Sequence, residues 1–555
     1  MADFDTEKEA HLLAAARERE EEDVAQILSA KYGVSYTDLS LVPIDTEALR
    51  VIPEATAREA DAAGFEKAGN HLSLAVHDPG NPALGALLTD LEGRNFSVKQ
   101  FLVSKKSIDK AFSRYRDLSY VSQTKLGSFD IRSDALAKAS AEISSLSALK
   151  TALQEALSGK TLDRVSHAIE ILFGAALAFK ASDIHFEPEE SGVRIRFRLD
   201  GLLTEVFVFD REAYKPIASR IKLLAGVKLN ITNRAQDGRF AITTNTGEVE
   251  IRASFIPDPF GESVVLRVLD PQSIEISIDK LGFEPKLLTR IKKEIRRSNG
   301  MLLTTGPTGS GKTTSLYSFL RDIHTPEIKI ITIEDPIEYR LPGIVQTQAD
   351  AKNYTFASGL RSIVRQDPDV IMVGEIRDGE TANIAIEAAL TGHFVFSTLH
   401  TNNAAGTFPR LIDLGADAKS FGSAISVSMA QRLCRRLDPE RKKERETTAE
   451  EKRMIEKLFK NVGDTTLVPE NTETVWDPVP EAEHTGYVGR MGIHEAIFMD
   501  DELAALLRNA PAENEIAKSV VRQGFLTMAQ DGVKKALAGL TSLDEIARAI
   551  DLPYE

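Results

Sequence analysis

Cysteine is almost absent from this 555-residue sequence, in which Cys434 is the only one. A single thiol can form neither a disulfide bond within the chain nor a cysteine-based metal site, and this usage is typical of proteins in a reducing compartment. Long apolar runs are absent as well. The longest run, Ile171–Phe179, is far shorter than the roughly 20 residues that a membrane-spanning helix needs, so it predicts a buried helix.

Positive charge is in short supply too, because the net charge is −15 and the isoelectric point is near 5.4. Phosphate backbones are bound by clustered Lys and Arg, so we expect no nucleic-acid partner. The first residues, MADFDTEKEA, are acidic and lack the apolar centre that is typical of a secretory signal. We therefore expect a cytoplasmic protein that contacts a membrane only through partners.

The length predicts three or four domains, and composition and periodicity divide the chain further. An Ala- and Glu-rich helical start precedes a small α+β domain without a chemical signature and a Ser- and Ala-rich linker. A second domain follows, in which Asp200-Gly201 predicts a hairpin turn. The domain that carries the chemistry and a C-terminal segment complete the chain. The predicted boundaries are 1–34, 35–118, 119–160, 161–272, 281–414 and 415–555.

An apolar strand, MLLTT, runs directly into a glycine-rich loop and a helix, which is the order of elements that a phosphate-binding P-loop requires. Glycines allow the backbone angles that turn successive N–H groups towards phosphate oxygens, and the start of the helix adds its positive dipole end. We predict that Lys312 neutralises the β and γ phosphates and that the Thr313 hydroxyl reaches Mg²⁺. The nucleotide-binding residues predicted in this way are Gly306, Pro307, Thr308, Gly309, Ser310, Gly311, Lys312, Thr313 and Thr314.

Acidic residues follow two further apolar strands. The segment EIKIITIEDPIEY contains Glu334 and Asp335, and DPDVIMVGEIRD contains Gly374 and Glu375. Carboxylates at the ends of parallel strands face the ligand crevice of an α/β sheet, so we predict that Glu375 polarises the attacking water. Gly374 stands where P-loop proteins usually carry an Asp for the metal. We therefore predict that Glu334, also a catalytic candidate, or Asp335 supports Mg²⁺ through water. A lone acid at a strand end is commonly only a solvated cap, but several beside one P-loop favour a functional role.

Histidines lie at both ends of the strand in GHFVFSTLHTNNAAG. His400 lies at the carboxyl end and is followed by Thr401 and Asn402, so we favour it as a sensor of the γ-phosphate. His393 lies at the start of the strand, and a structural and a functional role stay equally open for it.

Four arginines are candidates for stabilising the transferring phosphoryl group. Arg361 and Arg365 lie four residues apart and so share a helix face. Arg239, in AQDGR, and Arg252, in VEIRAS, lie in the second domain. For each of the four, an ordinary surface salt bridge is the alternative.

In order and spacing, these segments resemble the secretion ATPases that drive type IV pilus assembly and type II secretion. GPTGSGKTT, ITIEDPIEY, DPDVIMVGEIRD and STLHTN are similar to the Walker A, Asp box, Walker B and His box of that family. SDIHFEP, FRLDG, QDGR and GESVVLRVLD resemble its PAS-like second domain, and GYVGRMGIHEAI resembles its C-terminal helical part. The resemblance extends from residue 35 to residue 555, nearly the whole chain.

The resemblance implies an α/β fold class, with a RecA-like P-loop ATPase domain preceded by a PAS-like α+β domain and a small N-terminal α+β domain. It implies a homohexameric ring, peripheral at the cytoplasmic face of the inner membrane, that binds ATP and Mg²⁺. Nucleotide would lie between the PAS-like and RecA-like domains, with Arg239 and Arg252 among the residues that approach the phosphates. The ring would act on an inner-membrane platform protein, and the extra N-terminal domain is typical of assembly or export motors.

Two departures from the family pattern affect expected ligands. Many members bind zinc through two cysteine pairs, whereas this chain has Asp438 and Arg441 near the first pair and Glu481 and His484 near the second. We therefore expect no zinc site. Some members bind a cyclic dinucleotide through repeated Arg-Leu-Gly motifs, and the lack of such a repeat argues against that regulation.

Three alternatives to a pilus-assembly motor stay open. A type II secretion motor would use the same chemistry and differ only in its partners. A nucleotide-gated scaffold would bind ATP without productive hydrolysis, against which Lys312, Thr313 and Glu375 all argue. A DNA-translocating RecA-like motor is disfavoured by the acidic charge balance.

Overall fold

A computed structural model describes residues 21–42, 44–119, 128–129, 143, 145–158, 164–244, 247–270, 276–350, 352–481 and 484–553 of the chain. Much of the predicted helical start and of the predicted linker lies outside these residues. The chain forms two compact units, residues 1–129 and 130–555. Among the described residues, no helix is long and apolar enough to cross a membrane.

The first unit is a small α+β domain. Its four-stranded sheet has the strand order β1-β4-β3-β2, in which β2 and β3 are antiparallel and the other pairs are parallel. The strands of this sheet are β1 (Ser35–Tyr36), β2 (Ala62–Ala68), β3 (His71–Val76) and β4 (Ser97–Leu102), and the short strand β5 (Ser128–Phe129) follows them in the chain. The helices are 21–32, Thr46–Arg50, Glu54–Glu59, Pro82–Gly93 and Lys105–Ser119. Apolar side chains from sheet and helices form one buried core.

The second unit begins with an antiparallel domain, in which six strands follow the order β9-β10-β11-β6-β7-β8. The strands are β6 (Asp183–Pro188), β7 (Val193–Leu199), β8 (Leu202–Phe209), β9 (Gln236–Thr244), β10 (Gly247–Asp258) and β11 (Gly261–Leu269). The helices are Leu146–Ser158, Arg164–Ala178 and Arg211–Leu224. Phe173 contacts Phe240, and Phe186 stacks on Tyr214, so two of the helices pack on the apolar face of the sheet.

Two local predictions for this domain are confirmed. Asp200 and Gly201 both have positive φ, 48° and 89°, and they join β7 to β8 as a two-residue turn. The apolar run that begins at Ile171 lies in helix Arg164–Ala178, where its residues up to Ala176 are buried.

The chemistry-bearing domain is built on a seven-stranded sheet with the order β14-β13-β15-β16-β12-β17-β20. All neighbours are parallel except β17 and β20. The strands are β12 (Gly300–Thr305), β13 (Ile330–Glu334), β14 (Val345–Gln348), β15 (Val370–Val373), β16 (Phe394–Leu399), β17 (Ile425–Leu437) and β20 (Tyr487–Phe498). The helices are Pro285–Glu294, Lys312–Ile323, Phe356–Val364, Gly379–Leu390, Thr407–Asp413 and Ala418–Ala424. Helices cover both faces of the sheet, one core lying on each face.

The C-terminal segment is less purely helical than the resemblance implies. It supplies β17 and β20 to the main sheet and forms a two-stranded ribbon of β18 (Lys442–Glu446) and β19 (Thr474–Pro478). Its helices are Ala449–Phe459, Asp501–Leu507, Glu513–Val520, Met528–Leu537 and Leu543–Ala549. Strand β17, which lies beyond the predicted domain boundary at residue 414, pairs with the P-loop strand β12. The fold class is as predicted: a RecA-like α/β domain preceded by a PAS-like α+β domain and a small N-terminal α+β domain.

Candidate nucleotide site

The glycine-rich loop joins β12, whose six residues are all buried, to helix Lys312–Ile323. Gly306, Gly309 and Gly311 have φ values of 148°, 80° and 86°, a region that L-amino acids with side chains rarely adopt. A Cβ at Gly306 would also lie 2.6 Å from Ser310 Oγ. The Ser310 hydroxyl is buried and has no hydrogen-bond partner among the described residues, which suits a loop that binds an oxygen-rich ligand.

Lys312, the first residue of that helix, folds back over the loop. Its Nζ donates to Gly306 O at 2.7 Å and to Pro307 O at 3.1 Å. Burial lowers the pKa of Lys312 to about 8; the nearby Glu375 carboxylate opposes this shift and the Arg432 guanidinium adds to it. An anion such as phosphate would favour the charged form of this lysine.

Gln431 supports the loop from the neighbouring strand β17. Its Nε2 donates to Ser310 O at 2.7 Å, and its Oε1 accepts from Ser315 Oγ at 2.8 Å. The side chain is almost fully buried, so both bonds are shielded from water. Our sequence analysis missed Gln431, because only the pairing of β17 with β12 brings it to the loop.

Glu375 lies just beyond β15 in a cluster of polar side chains. It forms an ion pair with Arg377, and its Oε2 lies 3.5 Å from His400 Nε2. Arg377 NH1 in turn lies 3.9 Å from Asp335 Oδ2, and the hydrogen bond to Glu375 raises the pKa of Arg377. Strands β13, β15 and β16 are parallel neighbours, so their ends meet here. Our sequence analysis missed Arg377, although it stands only two residues after Glu375.

Glu334 is held differently from its neighbour Asp335. Its carboxylate is buried and accepts hydrogen bonds from Tyr317 Oη, from Thr332 Oγ1 at 2.6 Å and from Gln346 Nε2 at 3.2 Å. Burial raises the pKa of Glu334, and these hydrogen bonds oppose the shift. The structure therefore brings Asp335, and not the Glu334 carboxylate, into contact with the Glu375 cluster through Arg377.

Gly374 packs against the end of β13. Its N–H donates to Ile333 O at 2.8 Å, and a Cβ there would lie 3.3 Å from Ile333 O and 3.4 Å from Glu334 Cα. Such contacts are tight, which gives a steric reason for glycine at the place where P-loop proteins usually carry Asp.

Arg252 connects the PAS-like domain to the segment after Glu334. Its NH2 donates to Ile337 O at 2.7 Å, and its NH1 lies 3.8 Å from Glu338 Oε2. Arg239 is the register partner of Arg252 on the antiparallel strand β9 and is exposed. Side chains directly opposite each other share a face of a sheet, so both arginines lie on one face.

Comparison with known families identifies the architecture. The sequence model of the family described as "Type II/IV secretion system protein" matches residues 159–548, more than half of the chain. The chain belongs to that family. A second model, the MshEN domain, matches residues 32–119 in the first unit of this secretion system protein. The resemblance to the motors of pilus assembly and type II secretion is thereby confirmed.

Relatives of this secretion system protein include members of two named groups. It is 42% identical over 391 residues to "Type II secretion system protein E" of Klebsiella pneumoniae, covering 69% of this chain and 76% of the relative. It is 35% identical over 533 residues to "Type IV pilus assembly ATPase PilB" of Myxococcus xanthus, covering 95% of this chain and 91% of the relative. The crystal structure of the Yersinia pseudotuberculosis ATPase DotB matches with a TM-score of 0.50 at 21% identity, covering 69% of this chain and 93% of that one, and supports the fold alone.

The remaining predicted residues of this secretion system protein contact other groups. His393 Nδ1 lies 3.0 Å from Ala388 O at the amino start of β16, the opposite end of the strand from His400. Arg361 donates to Glu380 at 2.7 Å, and Arg365 to Ser362 Oγ at 3.2 Å. None of these contacts involves the P-loop or Glu375. Thr313, the second residue of the P-loop helix, is exposed at the site.

The positions where many members carry zinc-binding cysteines hold a group of ion pairs here. Arg441 NH1 lies 3.1 Å from Asp438 Oδ2, and its Nε lies 3.3 Å from Glu481 Oε2. His484 Nε2 lies 3.4 Å from Asp438 Oδ2. Cys434 is buried on β17, apart from this group in the sequence.

Proposed function

We propose that this chain is a magnesium-dependent ATPase that powers type IV pilus assembly. The observation that carries the choice of system is the extent of the alignment with the pilus assembly ATPase of Myxococcus xanthus, which covers 95% of this chain and 91% of that relative. The alignment with the type II secretion relative from Klebsiella pneumoniae covers only 69% of this chain.

The P-loop supports the ATPase proposal. The positive φ angles of Gly306, Gly309 and Gly311 allow backbone N–H groups to point towards a bound triphosphate. Lys312, whose Nζ lies over the same loop, would add a positive charge. Glu375 is the proposed base that orients the attacking water, and His400, 3.5 Å away, is the proposed sensor of the γ-phosphate.

The donor set near the loop also suits a hard divalent cation. The Thr313 hydroxyl is the proposed direct ligand of Mg²⁺, and the carboxylates of Asp335 and Glu375 supply oxygen atoms for bound water. Glu334 retains a proposed role near the metal, although its carboxylate bonds with Tyr317, Thr332 and Gln346. When bound, Mg²⁺ would neutralise the charge of the β and γ phosphates.

The assembly proposed with this activity is a homohexamer at the cytoplasmic face of the inner membrane, acting on a platform protein that adds pilin subunits. Arg252 and Arg239 are the proposed arginines that approach the phosphates from the PAS-like domain. Arg252 already contacts Ile337 and Glu338, next to Asp335. Size-exclusion chromatography with light scattering, with and without nucleotide, tests the hexamer.

ATP turnover tests the proposal most directly. We expect wild-type protein to hydrolyse ATP with Mg²⁺ and to lose turnover with a chelator, and Lys312→Ala to lose nucleotide retention as well. Lys443→Ala is a control on the exposed strand β18 that should leave both unchanged. Retention of nucleotide without turnover by wild-type protein would instead support a nucleotide-gated scaffold.

A type II secretion motor is the second candidate, favoured by 42% identity over 391 residues to the Klebsiella pneumoniae relative. The two systems share their chemistry, so only partners separate them. Co-purification with the platform protein and pilins of the source cell distinguishes the two candidates: pilus subunits support the first, and secretion pseudopilins support the second.

A further inference from the structure

The four residues that follow His400, which we call the 401–404 segment, are each bonded to a different element. Thr401 N–H donates to Thr305 Oγ1 at 2.7 Å, and Asn402 O accepts from Arg432 NH2 at 3.0 Å. Asn403 Nδ2 donates to Glu513 Oε1 at 2.6 Å. Ala404 N–H donates to Glu495 Oε1 at 2.7 Å. The partners lie respectively on β12, on β17, on helix Glu513–Val520 and on β20. His400, which contacts Glu375, is therefore continuous with a segment that is bonded to three strands of the main sheet and to one C-terminal helix.

Glu495 has a special place among these partners, because its two oxygens bridge two elements. Oε1 accepts from Ala404 N–H, and Oε2 accepts from Met528 N–H at 2.9 Å. Met528 is the first residue of helix Met528–Leu537, so its N–H points out of the helix start, where a negative charge is favourable. A carboxylate can accept at both of its oxygens, whereas an amide of the same shape would turn an NH₂ group towards one of the two N–H donors.

Arg432 connects this bridge to the P-loop. Its guanidinium donates to Asn402 O and to Gln431 O, and its charge acts on both Lys312 and Glu495. Burial raises the pKa of Glu495, while the two backbone N–H donors and Arg432 oppose the shift. Glu495 and Arg432 border a cavity of about 460 Å³ that also touches Asn402 and Met528.

We propose that Glu495 is a positioning residue that fixes His400 beside Glu375 by holding the 401–404 segment against the start of helix Met528–Leu537. The proposal rests on the proposed ATPase function, because His400 matters only if phosphate is cleaved there. Glu495 touches neither the P-loop nor Glu375 through any hydrogen bond described here, so its effect passes through Ala404 and the intervening residues. A shift of a reacting group by about 1 Å is enough to lower turnover by about 10²-fold.

The test uses Glu495→Gln, with Glu456→Gln as a matched control on the exposed side of helix Ala449–Phe459. The first readout is hydrogen exchange at the amides of Ala404 and Met528 in the full chain without nucleotide. We expect faster exchange at one or both amides in Glu495→Gln and wild-type exchange in Glu456→Gln. Unchanged exchange at both amides would overturn the inference.

The second readout separates positioning from a general structural role. We expect Glu495→Gln to lower kcat by about tenfold or more with little change in KM for ATP, because the P-loop contacts are untouched. Unchanged kcat would overturn the inference, and so would a loss of kcat that is matched by weaker ATP binding and a lower melting temperature. Absence of turnover in wild-type protein would instead overturn the proposed function, while the exchange measurement would still decide whether the carboxylate holds the segment.

A second variant keeps the test decisive if Glu495→Gln does not fold. Glu513→Ala removes a neighbouring contact of the 401–404 segment, because the exposed Glu513 carboxylate accepts from Asn403 Nδ2. We expect kcat to fall about threefold with KM unchanged. Wild-type kcat in this variant would count against positioning through the 401–404 segment.

Discussion

Glu375 and Glu334 both lie at the carboxyl ends of paired parallel strands, Glu334 as the last residue of β13 and Glu375 two residues beyond the end of β15. Glu375 contacts charged or titratable groups, Arg377 and His400, and its charge acts on Lys312. Among the described residues, the donors that bond to the Glu334 carboxylate are neutral, and burial raises the pKa of Glu334. The same residue type at the ends of neighbouring strands therefore has two different environments, one among charged and titratable side chains and one among buried neutral donors.

The Glu334 network has a clear architectural effect. Tyr317 lies on the P-loop helix and Gln346 on β14, and Gln346 also donates to Tyr339 O and accepts from Leu341 N–H. Glu334 thus joins the P-loop helix to the segment that follows Asp335, the segment that Arg252 contacts.

The largest expected effect comes from replacing each carboxylate by its amide. We expect Glu375→Gln to lower kcat by about 10²-fold or more, since the proposed general base is removed. Glu334→Gln should lower kcat by about tenfold or less, because glutamine keeps an acceptor for Tyr317 or Thr332. Steady-state ATP turnover measures both. Equal losses of kcat in the two variants would contradict the distinction between the two carboxylates and would support a direct role for Glu334 at the metal.

Much of this arrangement is encoded locally, and that part was predictable. The local sequence determines the backbone conformation in two places. These are GPTGSGKTT, between an apolar strand and a helix, and Asp200-Gly201, between two strands of alternating pattern. The presence of Glu375 and His400 at neighbouring strand ends follows from the parallel order of the sheet.

The rest depends on contacts distant in sequence. Gln431, Arg432 and Glu495 reach the site through the pairing of β17 with β12 and of β20 with β17. The sequence around them has no feature that predicts this pairing. The different environments of Glu334 and Asp335 could not be predicted either, because successive residues of a strand point to opposite sides and the packing of Tyr317 decides which side is buried.

Removing the Tyr317 hydroxyl should destabilise the folded protein, because this hydroxyl bonds to Glu334, the buried one of the two carboxylates. Tyr317→Phe leaves the Glu334 carboxylate without one donor, and we expect the free energy of unfolding to fall by about 1–3 kcal/mol. Tyr354→Phe is the matched control, because its hydroxyl donates to the neutral Thr347 Oγ1 at 3.3 Å and should contribute less. Urea unfolding measures both. Equal losses of unfolding free energy in the two variants would mean that the hydrogen bond to Glu334 contributes no more to stability than the hydrogen bond to Thr347.

The pH dependence of stability should also distinguish the buried carboxylate. The folded protein holds the Glu334 proton more tightly than the unfolded chain does, because burial raises this pKa above its ordinary value of 4.5. The contribution of Glu334 to stability therefore decreases as pH rises from 4.5 through the raised pKa. Urea midpoints measured across this range should show wild-type protein losing stability relative to Glu334→Gln. A difference that does not change with pH would contradict the prediction.

The smallest expected effect concerns Lys312, whose pKa is lowered to about 8 by burial and, to a lesser extent, by Arg432. The Glu375 carboxylate raises this pKa and so opposes the shift. ATP binding favours the charged lysine, so affinity should stay constant below this pKa and weaken above it by about tenfold per pH unit at most. In Glu375→Gln the supporting charge is lost, and the onset of weakening should move to lower pH. Glu334→Gln should leave the onset in place. Equilibrium binding of ATP over a pH series decides between them, and an equal shift in both variants would show that Glu334 also acts on the phosphate site through its charge.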